Sequence, residues 1–372
     1  MITRLNLKSF CAFKELEIEF SPRINVIIGE NSCGKTKLLK AAYLLTSTAA
    51  ELYDKKSVLK ADVAQLLTEK LLGIYKPAEE KIGSLKHLGD KEKAEIRVDF
   101  TTDISFGAIF SARSQKAIPI GDYKNTEPGG GVFLPTKEVL SFLDGMTDPE
   151  SHPPTVNRLF DSTYLDLVGK LLNPEEITEE KAQWAMEKVC NRIGGRFEFE
   201  GSNVLFKPGI YKEYKNQHTS ETYFSPQSTS SFSTTMTAEG YRKIGVLQRL
   251  LQNSKIGTGT NGPLYWDEPE ANLNPQLMKM IVDVLLELSR SGQQIIIATH
   301  EYILLKWFDL LMDKKGKGDL IKFHTLYHDE DGQVKIESTD NYKMLNNNSI
   351  ALTYNEIYDA EIERSLGNAD ND

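Results

Sequence analysis

The sequence predicts an α/β fold: a core of alternating strands and helices, preceded by an antiparallel β lobe and interrupted by a mixed α/β insertion. Three observations predict it. "INVIIG" (24–29) is a continuous apolar run, the mark of a strand buried on both faces, and a helical pattern follows it closely. Residues 2–10 and 15–20 alternate apolar and polar positions, as strands with one buried face do. From 263 onward strands and helices alternate, the pattern of a parallel sheet, after an interruption of roughly 150 residues or more.

Taken in order, helices are expected from Lys35 to about Tyr53 and over 57–75, and strands at "KAEIRVDF" and "ISFGAIF". "TEPGGGVFLPTKEVLSFL" (126–143) reads as a Gly-rich loop, a short strand and a helix. Residues 155–172 and 178–193 carry helical patterns, and "RFEFEGSNVLFKP" reads as a hairpin around Gly201 and Ser202. "GIYKEYKNQHTSETYF" reads as solvated strands of a mixed domain. "STSSFSTTMT" (228–237) is a hydroxyl-rich loop. A helix over "AEGYRKIGVLQRLLQ" comes next, then a strand (263–267), a helix (275–290), the strand "QQIIIAT", a helix (301–313) and the strand "LIKFHTLY". The tail "GNADND" is expected to fray. The divisions are 1–56 for the N-terminal lobe, 57–235 for further strands of the lobe plus the insertion, and 236–372 for the C-terminal lobe.

Composition narrows the function classes. Forty per cent apolar and 26% charged residues are ordinary globular values. Neither a membrane-length apolar run nor a secretory leader is visible. Cys11, Cys33 and Cys190 lie far apart without CxxC spacing, so neither a disulfide framework nor a zinc site is expected, and a cytoplasmic location fits. A net charge of −9 argues against gripping nucleic acid by bulk charge, while 44 Lys and Arg leave room for a local basic groove.

The chemistry starts at "GENSCGKT" (29–36), which fits G-x-x-x-x-G-K-[ST] between a buried strand and a helix. Backbone N–H groups over Gly29, Glu30, Asn31, Ser32, Cys33, Gly34, Lys35, Thr36 and Lys37 are placed to cradle phosphate oxygens at a helix N-terminus. Lys35 would reach the β- and γ-phosphates of ATP, and Thr36 would ligate Mg²⁺. "LYWDEPEANLNP" (264–275) ends a second apolar strand in carboxylates. Charges there are costly unless a metal or cation faces them. Asp267 would reach the Mg²⁺ through water, and Glu268 would polarise the attacking water. "QQIIIATHE" ends a third strand at His300, at the edge where open α/β sheets bind ligands; His300 would sense the γ-phosphate.

Together these elements resemble the ATP-binding-cassette (ABC) ATPases, in the chromosome-maintenance and DNA-repair branch. "LKSFCAFKELEIEFSPRINVIIGENSCGKTKLLKAAYLL" is similar to that branch's N-terminal lobe, and the wide separation of Lys35 from Asp267 is similar to its split head. "WDEPEANLNP" and "VFLPTKEVLS" resemble the overcoming-lysogenization-defect (OLD) type and the small ATPases of antiphage systems such as Septu and PARIS. The similarity covers most of 1–53 and 236–327.

The resemblance implies an ABC-ATPase head. It also implies a signature segment that contacts the ATP of a second protomer, so that two heads clamp two nucleotides. "TAEGYRK" (237–243) is similar to that signature: Gly240 is kept, Ala238 stands where the family has serine, and Arg242 or Lys243 would partly replace it. Glu270 to Asn274 would form the D-loop. The glutamine of the family's Q-loop has no firm match; Gln115 and Glu138 are candidates. No sustained heptad repeat or HNH pattern is present, and the stretch after His300 is too short for the Toprim nuclease of OLD proteins.

The expected function is an ATPase that dimerises, or forms a higher oligomer, around ATP and controls a separate effector, a nuclease or toxin, in antiphage defence. Two alternatives stay open. One is a RecF-like DNA-repair clamp that binds nucleic acid. The other is a non-hydrolysing ATP-bound scaffold.

Overall fold

The computed structural model describes residues 1–53, 55, 57–124, 126, 128–147, 153–174, 180–215 and 220–369. The first strands are sided as their alternation predicts. β1 (Ile2–Phe10) and β2 (Phe13–Glu19) pair antiparallel, burying Leu5, Leu7, Leu16 and Ile18 while Glu15, Glu17 and Glu19 stay exposed. β3 (Ile24–Gly29) is buried throughout: Val26 and Ile28 pack into one core cluster and Ile27 into the other. α1 (Lys35–Tyr53) and α2 (Lys60–Tyr75) follow. β4 (Ala94–Phe100), β5 (Ser105–Phe110) and β6 (Ile118–Gly121) complete a five-stranded antiparallel sheet ordered β2-β1-β4-β5-β6.

β7 (Val132–Leu134) then joins a different sheet, and the insertion begins. It holds α3 (Leu143–Thr147), α4 (Pro153–Leu159), α5 (Ser162–Leu171) and α6 (Glu180–Ile193). The strands β8 (Gly195–Glu200), β9 (Asn203–Lys215), β10 (Ser220–Pro226) and β11 (Phe232–Ser233) form a separate small sheet around β9.

The chain returns to the core through α7 (Glu239–Gln252), β12 (Leu264–Asp267), α8 (Pro275–Arg290), β13 (Ile295–Ala298), α9 (Tyr302–Leu311), β14 (Ile321–His328), β15 (Val334–Thr339) and α10 (Ser349–Ala369). The main sheet runs β15-β14-β3-β13-β12-β7, parallel from β14 to β7 with β15 as an antiparallel edge. The carboxyl ends of β3, β13, β12 and β7 therefore lie side by side, although they come from distant parts of the sequence. The result is the expected α/β head with its N-terminal antiparallel lobe and mixed insertion.

Three expectations need correction. The helix expected after the strand of 126–143 is a set of turns: the Glu138 carboxylate accepts from the Ser141 amide and hydroxyl, which holds the backbone in a local loop, and a short helix starts only at Leu143. The helix expected over 155–172 is two helices, because the Asp161 carboxylate accepts the Thr163 amide at 2.8 Å and caps a new start. β15 and α10 were not expected from the sequence. α10 leaves Leu352, Ile357 and Tyr358 exposed and is anchored by Tyr354, which stacks on Tyr302 at 4.1 Å. The fraying expected of the tail falls partly on 370–372, outside the described residues; 367–369 continue the helix. Among the described residues no helix is long and apolar enough to cross a membrane.

Candidate functional site

The loop after β3 takes its shape from backbone freedom. Gly29 has φ +146°, and a Cβ there would stand 2.3 Å from the Leu326 carbonyl oxygen, so only glycine lets β3 and β14 close at this point. Glu30, Asn31 and Ser32 form an exposed crest, Cys33 is buried beneath it, and Lys37 points outward. The Lys35 side chain is folded over the loop and buried, donating to the carbonyls of Gly29 (2.7 Å) and Glu30 (2.9 Å). Burial lowers the ammonium below its ordinary pKa; Cys33 and then the acids Glu268, Asp267 and Glu270 act against that shift.

The second half arrives on β12. Thr36 Oγ1 donates to Asp267 Oδ2 at 2.9 Å, and the Thr136 hydroxyl from the loop after β7 donates to the same oxygen at 3.1 Å. Asp267 is 5% exposed, and burial raises its carboxyl pKa while the two threonine hydrogen bonds pull it down. Two hydroxyls and a carboxylate are hard oxygen donors, the set that suits Mg²⁺. Among the described residues no group of three or more His, Cys, Asp or Glu is gathered for a metal. Thr36, Asp267 and Thr136 are the residues that would hold a magnesium ion here.

Glu268 follows at the strand tip in a left-handed conformation (φ +49°), unusual for a residue with a Cβ. Two contacts hold it there. Its amide donates to the Ala298 carbonyl at 2.8 Å. Its carbonyl accepts from Lys243, whose ammonium also donates to the carbonyls of Thr136 (3.1 Å) and Ala271 (3.4 Å). Lys243 is 5% exposed, and burial lowers its pKa to about 8 despite the opposing acids Glu270, Glu268 and Asp267.

His300 sits beyond β13 with Nδ1 3.4 Å from Glu268 Oε1 and 3.5 Å from Glu270 Oε1. Glu270 is the buried member of the group: its Oε1 accepts from Thr299 Oγ1 (2.7 Å) and the His300 amide (3.1 Å). Burial raises the Glu270 pKa.

The fold thus brings together Lys35, Thr36, Asp267, Glu268 and His300. Ala238 and Gly240 lie at the start of α7, with Gly240 against its own chain's 270–274 segment. A Cβ on Gly240 would meet the Asn272 carbonyl oxygen at 2.8 Å, and the Asn272 side chain donates to Glu239 at 2.7 Å. Arg242 is committed to Glu138 (2.8 Å) and to the carbonyls of Thr234 and Thr237. Gln115 lies in an exposed turn between β5 and β6, in the antiparallel sheet. Glu138 stands two residues from Thr136, so the loop after β7 is the one that reaches the carboxylates. Sequence reasoning missed Thr136; the signal was the "FLPTKE" stretch ending a short buried strand.

Fold and site define the class: a P-loop ATPase domain with the fold of the SMC heads. The AAA ATPase domain model matches residues 1–239, well over half of the chain, and the chain belongs to that family. A second AAA-domain model, whose description also names AbiEii toxin and a type IV TA system, matches 238–306. An SMC head bound to the C-terminal winged-helix domain of ScpA superposes with TM-score 0.54 at 14% identity, over 92% of this chain and 98% of that one. An SMC head with an extended coiled coil, bound to the C-terminal domain of ScpA and derived from Pyrococcus furiosus, gives 0.50 at 13%, over 91% and 96%. These structures share the fold.

By sequence, the DNA replication and repair protein RecF of Halalkalibacterium halodurans is 52% identical over 44 residues, 12% of each chain. RecF of Streptococcus pneumoniae is 38% identical over 66 residues, 18% of each. The chain thus matches less than a fifth of the length of these curated relatives.

Proposed function

We propose that the chain binds ATP with Mg²⁺, hydrolyses it, dimerises around it, and thereby controls a separate effector, a nuclease or toxin, in antiphage defence. The observation that carries the catalytic part is the contact of Thr36 with Asp267, with Glu268 next in the chain. It joins a phosphate-cradling loop to a carboxylate pair across the sheet.

In this reading the loop amides of 29–37 and the Lys35 ammonium hold the β- and γ-phosphates. A magnesium ion held by Thr36, Asp267 and Thr136 would supply positive charge that offsets the charge developing on the phosphate oxygens. Glu268 orients a water on the γ-phosphorus and takes its proton as the new oxygen–phosphorus bond forms and the bond to the bridging oxygen breaks, giving ADP and phosphate. His300, within reach of both Glu268 and Glu270, reports whether the γ-phosphate is present. Ala238 and Gly240 would face the nucleotide of a second protomer.

The effector part rests on the OLD-like "WDEPEANLNP" segment and on the toxin-system description attached to the model matching 238–306. The test is purification of tagged Glu268→Gln from its native host with MgATP. A stoichiometric nuclease or toxin supports this reading. Nucleic acid without a protein partner moves the weight to a RecF-like clamp, the reading favoured by the 52% identity over 44 residues to a RecF protein.

A further inference from the structure

We infer that a second anion site, shaped for a small phosphorylated ligand, lies in the cavity between α1, α2, α5 and the segment after α7, away from the P-loop. The cavity measures about 270 Å³ and is lined by three lysines from three separate segments: Lys70 on α2, Lys170 on α5 and Lys255 beyond α7. This volume lies just below the usual range for drug-sized ligands, about 300–1,000 Å³, which suits a small sugar phosphate.

The charge balance is what points to an anion. Three lysines share the lining with two carboxylates, which leaves one positive charge in excess. Glu51 pairs with Lys70 at 2.6 Å, and Asp166 accepts the Tyr43 hydroxyl at 3.0 Å. Among the described residues the Lys170 and Lys255 ammoniums have no carboxylate within ion-pair distance; that of Lys170 lies 6.0 Å over the Tyr43 ring. Burial lowers the Lys170 pKa, Lys70 and Lys255 add to the shift, and Asp166 and Glu51 oppose it. A partly dehydrated cation held near two others is an arrangement that a bound anion relieves.

The position gives the site a consequence. Ser47 lines the cavity on the helix whose first turn holds Lys35, about 18 Å further along at 1.5 Å per residue. Gly130 and Gly131 line it on the segment that enters β7 and continues to Thr136. A ligand here bridges the N-terminal lobe, the insertion and the C-terminal lobe, and so links its own binding to the elements that carry the nucleotide groups.

The test is calorimetric titration of the full chain with inorganic phosphate and with ribose 5-phosphate, in a Lys35→Ala background so that the P-loop does not compete. Both probes, or ribose 5-phosphate alone, are expected to bind, and Lys170→Met in the same background should weaken that binding about tenfold or more, the scale of one lost charge-assisted contact. Lys255→Gln, at a half-buried loop position, provides a second variant should Lys170→Met fold poorly. Absence of ribose 5-phosphate binding, whether or not phosphate binds, or equal binding in the lysine variants, overturns the inference. The readout is the difference between cavity variants, so it stands or falls separately from the ATPase reading.

Discussion

Thr36 and Asp267 are 231 positions apart in sequence, and their side chains meet at 2.9 Å. The contact forms because β3 and β12 flank β13 in one parallel sheet, so the first turn of α1 and the tip of β12 share an edge. Everything proposed for nucleotide chemistry depends on that closure.

Asp267→Asn should keep the fold and lose Mg²⁺-dependent turnover by on the order of 100-fold or more, since a buried carboxylate that faces the metal is removed. Phosphate release measured against Mg²⁺ concentration checks it. Turnover equal to wild type at saturating Mg²⁺ would remove Asp267 from the metal's surroundings.

Lys35→Ala removes the cation that the loop holds over Gly29 and Glu30. ATP affinity should fall on the order of 100-fold, the cost of about two charge-assisted hydrogen bonds to phosphate. Equilibrium binding of a fluorescent ATP analogue measures this, and unchanged affinity would sink the assignment.

Lys243→Met leaves the carbonyls of Thr136, Glu268 and Ala271 without their shared donor and takes from Asp267, Glu268 and Glu270 one of the two lysines near them, Lys35 remaining. A loss of about 3–5 kcal/mol is expected, the range for breaking a buried charged contact. Because the clamp holds Glu268 in its left-handed conformation, turnover should fall more than ADP affinity. Urea melts paired with steady-state kinetics separate the two effects.

His324 is fully buried on β14, bonded to Ser338 at 2.7 Å and Asn25 at 3.3 Å, and burial lowers its pKa to about 3. In the unfolded chain it titrates near 6.5, so below that pH the unfolded state binds the extra proton. Stability therefore falls as pH drops from about 6.5 toward 3, by about 2 kcal/mol at pH 5. Denaturant titrations at pH 7.5 and pH 5 should show this loss, reduced in His324→Asn. An equal loss in both proteins would exclude His324 as its source.

The core strands and their tips were legible because burial on both faces leaves an unbroken apolar run, as in "INVIIG" and "QQIIIAT", and because each run ends in residues with a chemical use. The start of α8 was legible from local chemistry: Asn274 accepts the Gln276 amide and Pro275 opens the helix. Thr136 was not legible, since a threonine in a turn has many local uses and only the sheet order puts it beside Asp267. The Glu138–Arg242 pair and the Lys243 clamp were hidden likewise, because they join segments more than a hundred residues apart. α10 lacks a clean apolar stripe and shows only in the stacked Tyr302–Tyr354 pair.

The most direct test of the central claim is Mg²⁺-dependent ATP turnover by the purified chain and by Glu268→Gln, with ATP binding measured on both. The account predicts that wild type releases phosphate and that Glu268→Gln binds ATP with similar affinity while turning over on the order of 100-fold more slowly, the lower range for loss of a group that orients and deprotonates water. Equal turnover in the two proteins would contradict it.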